Sequence, residues 1–263
     1  MTTCIDTPID HPAGIYIGCA GNSIGRDVAL DFPGAGSHLE RYARVLGCTE
    51  INTSFYRPHQ AATYARWAES VPDAFRFSVK MPRTISHDAQ LKDVDALLDR
   101  FHGEAGALGN KLGCLLVQLA PSSSFDSDVA AAFFAALRAR FDCMVACEAR
   151  HPTWFGADAT QLLTEAGVTR VIADPAKGQP GAHVPTTAAI YTRLHGAPRI
   201  YYSSYAPEYL AQLASDIATH HAAGREMWCI FDNTASGAAT TNALTVQRAV
   251  EAALLQSAAL PSG

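Results

Sequence analysis

Short runs of β-branched and other apolar residues alternate with longer amphipathic stretches along almost the whole chain, and few folds accept that rhythm. The strand-like runs fall at 15–19, 50–55, 75–80, 114–119, 144–148, 171–174, 190–195 and 228–232. They recur about every 33 residues, close to the roughly 30 or more that one strand–helix–strand unit needs. Several are continuously apolar, as in Cys114-Leu115-Leu116-Val117, which is the pattern of a parallel sheet covered on both faces.

The intervening stretches carry helix signatures. Ser37 and Glu40 form an S-x-x-E capping box ahead of Leu39, Tyr42 and Leu46, and Gly47 follows as a stop. Val129, Phe133, Leu137 and Phe141 lie four apart and make one apolar stripe. Pro207 sits where a first helical turn tolerates it, with Leu210, Leu213 and Ile217 behind it and Gly224 at the end. The sixth interval, 176–187, holds two prolines and two glycines, so a loop or a very short helix is expected there. Eight such units predict an α/β fold, a single (β/α)8 TIM-type barrel over 15–256 with the sixth helix short or absent, between tails at 1–14 and 257–263. An open doubly wound sheet is the alternative. Against it, the turn Gly18-Cys19-Ala20-Gly21 lacks the G-x-G-x-x-G spacing, so no nucleotide cofactor is expected.

With 48% hydrophobic and 17% charged residues, the chain can bury a large core, which argues against disorder. A formal net charge of −5 supplies no global attraction for nucleic acid or anionic lipid. No run approaches the roughly 18 apolar residues of a membrane span, and residues 1–14 lack the basic start and apolar core of a secretory leader. A cytoplasmic protein with no membrane partner is the expectation. Seven scattered cysteines (Cys4, Cys19, Cys48, Cys114, Cys143, Cys147 and Cys229) read as buried reduced thiols, since only Cys143 and Cys147 are close and no second pair answers them.

In a barrel, polar groups at the C-terminal ends of strands face the mouth, where active sites are built. Here the second strand supplies Glu50 and Asn52, with Tyr56 and Arg57 in its loop; the third ends in Lys80, followed by Arg83 and His87; the fourth holds Gln118. The fifth runs into Glu148, Arg150 and His151, with Trp154 nearby, the sixth ends at Asp174, the seventh at Arg193 and His195, and the eighth at Asp232 and Asn233. Side chains two apart share a strand face, which pairs Glu50 with Asn52, Glu148 with Arg150 and Arg193 with His195. Glu50 and Glu148 are candidates for a paired-carboxylate acid–base system, with His195 as a second proton carrier. A divalent metal on Glu50, Glu148, Asp174 and His195 is the alternative, unsupported by any H-x-H or H-E-x-x-H motif. Arg57, Lys80, Arg150 and Arg193 suit a phosphate or carboxylate. Asn52, Tyr56, His87, Gln118, His151, Asp174 and Asn233 would orient it, and Trp154 would stack on a ring. Taken singly, each group is as well explained by a structural ion pair, and Arg83 and Asp232 are read that way.

These segments also carry a resemblance. In order they are 50–57 (Glu-Ile-Asn-Thr-Ser-Phe-Tyr-Arg), 75–80, Ile85-Ser86-His87, 118–121, Glu148-Ala149-Arg150-His151-Pro152-Thr153-Trp154, Arg193-Leu194-His195-Gly196, Asn233-Thr234 and Asn242-Ala243. Together they resemble the YecE-like family, domain of unknown function 72, over about 15–243. The resemblance implies a TIM-type barrel and brings no reaction with it. The chain departs from the family pattern where Asn22 follows Gly21 in place of a tryptophan, removing an aromatic wall, and where Asp232 replaces a frequent asparagine, adding a negative charge. Ser54, Ser86 and Thr153 exchange one hydroxyl residue for another.

Three functions compete on these grounds. The first is an enzyme of the hydrolase or isomerase class acting on a small polar, anionic or phosphorylated substrate. The second is a non-catalytic binder of nucleic acid or a phosphorylated ligand, with Tyr56 and Trp154 as stacking platforms. The third is a scaffold whose mouth charges are structural.

Overall fold

The structure, a computed structural model, describes residues 12–259. Residues 1–11 and 260–263 lie outside the described residues, and with them most of the expected N-terminal tail, Cys4, and the end of the C-terminal tail. The strands are β1 (Ile15–Ala20), β2 (Cys48–Ile51), β3 (Arg76–Lys80), β4 (Leu112–Gln118), β5 (Met144–Glu148), β6 (Val168–Arg170), β7 (Ile172–Asp174), β8 (Ile190–Leu194) and β9 (Met227–Phe231). The helices are α1 (His38–Ala43), α2 (Ala61–Glu69), α3 (Asp95–Ala105), α4 (Ser127–Arg138), α5 (Ala157–Glu165), α6 (Pro207–Ala222) and α7 (Ala238–Ala259).

All strand pairs are parallel, in the order β6-β5-β4-β3-β2-β1-β9-β8-β7. The two ends of that order are consecutive in the chain. β6 pairs with β5 and β7 pairs with β8, and only Val171 separates them. One strand position therefore hands its ladder from one neighbour to the other, and the sheet nearly closes as an eight-position barrel. The sixth strand thus begins at Val168 rather than at 171, in two pieces. The second strand ends at Ile51 instead of 55, because Asn52 turns into helical backbone (φ −84°, ψ −22°) and Thr53–Phe55 forms a short 3-10 turn. No helix forms over 176–187, as the prolines and glycines there foretell.

Local chemistry places the helices. The Ser37 hydroxyl accepts from the Glu40 backbone N–H at 3.2 Å, and Glu40 Oε2 accepts from the Ser37 N–H at 2.6 Å, the reciprocal cap read from sequence. Phe133 and Leu137 face inward from α4, and Pro207 opens α6.

Strand parity divides the core. Ile17, Val79, Val117, Val145 and Phe231 point outward and pack under the helices. Cys48, Cys114, Leu116, Ala146, Val171, Tyr191, Trp228 and Ile230 fill the barrel interior. The six described cysteines are free thiols, five of them buried.

Candidate functional site

Two residues further along the inward face, in six of the eight strand positions, the inner layer gives way to polar and charged side chains. Cys48 is followed by Glu50, Ser78 by Lys80, Leu116 by Gln118, Ala146 by Glu148, Tyr191 by Arg193 and Ile230 by Asp232. The period of two that builds the interior therefore delivers six polar side chains to one ring at the mouth, all at most 5% exposed.

Arg193, fully buried, is the hub of this ring. Its Nε and Nη2 donate to Glu50 Oε2 and Oε1 at 2.9 and 2.5 Å, and its Nη1 donates to Glu148 Oε2 at 2.7 Å. Nη2 also lies 3.1 Å from Asp232 Oδ2. Tyr191 donates to Glu50 Oε2 at 3.0 Å, so both Glu50 oxygens are taken. Glu148 Oε1 accepts from Gln118 at 3.0 Å and from Arg150 Nε and Nη2 at 3.0 and 2.8 Å. Gln118 and Glu148 are register partners across β4 and β5, which is why their side chains meet. Burial alone would push the Glu148 carboxyl up, but Arg193, His195 and Arg150 together hold it well below the usual carboxylate range. Asp232 is lowered in the same way, by Arg193, His195 and Lys80 against its burial.

His195 follows β8 directly. Its Nδ1 lies 2.9 Å from Asp232 Oδ2, while its buried Nε2 is 3.3 Å from Glu148 Oε1 with no hydrogen-bond partner. Burial lowers its pKa, but the Asp232 bond and the Glu148 carboxylate outweigh that and raise it. His195, Glu148 and Arg150 line a small cavity with Ala173, Lys177 and Tyr201. His195 is thus held between two carboxylates, Asp232 at Nδ1 and Glu148 at Nε2, the setting of an oriented proton carrier.

Lys80 stands apart. Its Nζ lies 4.1 Å from the centroid of the Phe55 ring, and among the described residues it has no hydrogen bond or carboxylate within ion-pair distance. Burial and then Arg193 lower its pKa to about 8, against Glu50, Glu148 and Asp232. His87 packs its ring edge on the same Phe55 ring, centroids 4.9 Å apart.

The structure gathers Glu50, Lys80, His87, Gln118, Glu148, Arg150, Arg193 and His195 at the mouth. Others of the expected set lie elsewhere. Tyr56 is 72% exposed beside exposed Arg57 on the loop after β2. Asn52, leaving the strand, lines a cleft of about 310 Å³ with Asn22, His59 and Trp67, to which Glu50 also contributes. His151 caps its own turn through Thr153. Trp154 is 2% exposed, with its indole N–H on the Ser123 carbonyl at 3.0 Å and its ring against Phe125; buried like this, it offers no stacking face. Asn233 is tied to Ser203 and Asn242 and holds the loop after β8. The Asp174 carboxylate belongs with Tyr205 and Tyr209. Among the described residues no three His, Cys, Asp or Glu side chains are placed to hold a metal ion, and Arg193 occupies the oxygens of Glu50 and Glu148 that one would need.

Arg83, expected in a structural ion pair inside the barrel rim, does pair, with Asp88 at 3.1 Å, but both side chains are exposed. Asp232, read from sequence as a rim ion pair, does pair with Arg193 but also orients His195. Its place just past β9, equivalent to the other mouth residues, was the available clue. Tyr191 and Phe55 gave none, because an apolar ring in or near a strand reads as core.

The sequence profile described as "Protein of unknown function DUF72" matches residues 16–262. UPF0759 protein YecE of Escherichia coli K12 is 35% identical over 167 residues, which cover 61% of this chain and 59% of the relative's length. A DUF72 family protein of Enterococcus faecalis V583 superposes with a TM-score of 0.75 at 23% identity, covering 90% of this chain and 95% of that one. A DUF72 family protein of Thermotoga maritima MSB8 does so with a TM-score of 0.74 at 23% identity, covering 90% and 99%. These structures share the barrel fold.

Proposed function

The chain belongs to the DUF72 family, and on that premise we propose that its barrel mouth is the active site of an enzyme taking a small carboxylated or phosphorylated substrate, on which His195 performs acid–base chemistry of the hydrolase or isomerase class. The observation that carries this reading is His195, held by Asp232 at 2.9 Å and Glu148 at 3.3 Å, on the wall of a cavity that Arg150 and Lys177 also line. Asp232 holds the imidazole in one orientation and stabilises its protonated form. Arg150 spends Nε and Nη2 on Glu148, and its Nη1, without a hydrogen bond among the described residues, is available for the substrate's anionic group. Glu148 tunes both groups. Glu50, whose oxygens are filled by Arg193 and Tyr191, positions Arg193 rather than touching substrate.

The test is turnover of a panel of phosphate monoesters and hydroxy acids followed by NMR. Wild-type protein turns over a member of the panel, and His195→Gln abolishes this at an unchanged urea midpoint. A His195→Gln protein with the wild-type rate overturns the assignment. The exposed Tyr56 beside Arg57 favours a second reading, a non-catalytic binder of nucleic acid or a phosphorylated ligand. Oligonucleotide binding without turnover, falling steeply with salt, would select it.

A further inference from the structure

We propose that Lys80 is an amine nucleophile that condenses with the carbonyl of a small anionic aldehyde or ketone at the barrel mouth to form an imine. This rests on the reading of the mouth as an anion-binding active site and narrows its substrate to a carbonyl compound.

Lysine is rare here: the sequence holds Lys80, Lys92, Lys111 and Lys177. Two of them are buried, and they differ in kind. Lys111 Nζ donates to the carbonyls of Val71 and Pro72 and pairs with Asp73 at 3.3 Å, so its charge is satisfied. Lys80 is 5% exposed and has none of this, although three carboxylates share its ring. Arg193, Arg150, Gln118, Tyr191 and His195 already engage those carboxylates. The fold thus keeps a buried amine near three carboxylates and gives it no direct counter-ion, an arrangement that costs stability.

The groups facing Lys80 suit it to carbonyl chemistry. Burial and Arg193 lower its pKa to about 8, and Glu50, Glu148 and Asp232 oppose them. About one molecule in ten then carries the free amine at pH 7, on the order of 100-fold more than for a lysine of ordinary pKa about 10.4. The Phe55 ring lies under Nζ at 4.1 Å and gives the amine an apolar floor in place of a counter-ion. Burial, then Lys80, Arg83 and Arg150, lower the pKa of His87, which lies across Phe55 with its Nδ1 2.9 Å from the Ser86 hydroxyl. Neutral Nζ adds to the carbonyl carbon, the carbonyl π pair moves to oxygen, oxygen gains a proton and nitrogen loses one. The hydroxyl then leaves as water with a second proton as the nitrogen lone pair closes the C=N bond, and the iminium nitrogen releases its remaining proton in return, so the net products are imine and water with no oxidant or reductant consumed.

The probe is glyoxylate, a carboxylated aldehyde, with sodium cyanoborohydride to trap the imine as a secondary amine, located by peptide mass spectrometry. At pH 7, Lys80 is expected to be alkylated at least about tenfold faster than exposed Lys92 and Lys177, with a rate rising through a midpoint near pH 8. Lys80→Arg, which keeps the charge, should retain the urea midpoint and lose the fast phase. Arg150→Gln should slow glyoxylate at Lys80 but leave neutral acetaldehyde unchanged. Labelling of Lys80 no faster than that of Lys92 overturns the proposal. Calorimetry with inorganic phosphate and with lactate, which has no carbonyl, reports on the anion site separately. Anion binding with slow Lys80 labelling refutes the imine alone. Fast Lys80 labelling by both aldehydes with no anion binding refutes the anion site and with it the proposed substrate class.

Discussion

Replacing Arg193 with methionine tests the reasoning behind the whole site. The guanidinium is fully buried and serves three carboxylates, two oxygens of Glu50 and one each of Glu148 and Asp232. Methionine fills similar space without charge. Glu148 keeps Gln118 and Arg150, and Asp232 keeps His195, but Glu50 retains only Tyr191. The cost is therefore that of orphaning one buried carboxylate and weakening two others, about 3–5 kcal/mol at pH 7, a large share of the about 5–15 kcal/mol of a typical domain. Urea unfolding should show this as a lower midpoint at an unchanged slope. Glu148 and Asp232 have folded pKa values lowered by Arg193, so the stability they contribute is present above their unfolded values near 4 and is lost as pH falls through the folded ones. The gap between wild type and Arg193→Met should accordingly narrow below about pH 4. Adding Glu50→Gln to Arg193→Met should restore part of the loss, because it removes the orphaned charge. A single variant within about 1 kcal/mol of wild type, or a double variant weaker than the single, would refute the hub.

Further perturbations follow from particular contacts. Tyr191→Phe removes the hydroxyl shared by Glu50 and Ser78, at 3.0 and 2.7 Å, and should cost about 1–3 kcal/mol in urea unfolding. Ser37→Ala breaks the reciprocal cap of α1 and should cost about 0.5–2 kcal/mol, with the mouth's ligand affinity unchanged by calorimetry. The raised pKa of His195 means its protonated form contributes stability below the unfolded value near 6.5, lost as pH rises through the folded one; the wild-type advantage over His195→Gln should be larger at pH 6 than at pH 9. Gly178 has φ +72° and sits so close to the Arg150 carbonyl that an added Cβ would lie 2.1 Å from it; Gly178→Ala should weaken phosphate binding through Arg150 as well as lower the urea midpoint.

Much of this was legible beforehand, for definite reasons. A period of two along a strand is a property of the backbone, so Glu148 with Arg150 and Arg193 with His195 could be paired on one face before any coordinates; Glu148 and Arg150 do bond each other, and Arg193 and His195 both reach Glu148 and Asp232. The capping box and the helix-poor sixth interval rest on nearest-neighbour chemistry and were equally readable. Trp154 was not, because whether an indole near the mouth faces solvent or Ser123 depends on a loop 31 residues away in sequence. The split of the sixth strand at Val171 arises from the demand that the sheet meet itself, which no local window contains.

By itself the sequence determined which residues alternate inward and outward, where helices start, and that charge would collect at the ends of strands. All of these depend on separations of a few residues. Only tertiary structure decided how that charge is shared: Arg193 draws Glu50 and Glu148 from 143 and 45 residues away, Asp232 turns to His195, and Lys80 is left over. The reason is physical, since a buried charge is defined by its partners, and partners brought together by barrel closure are neighbours in space alone.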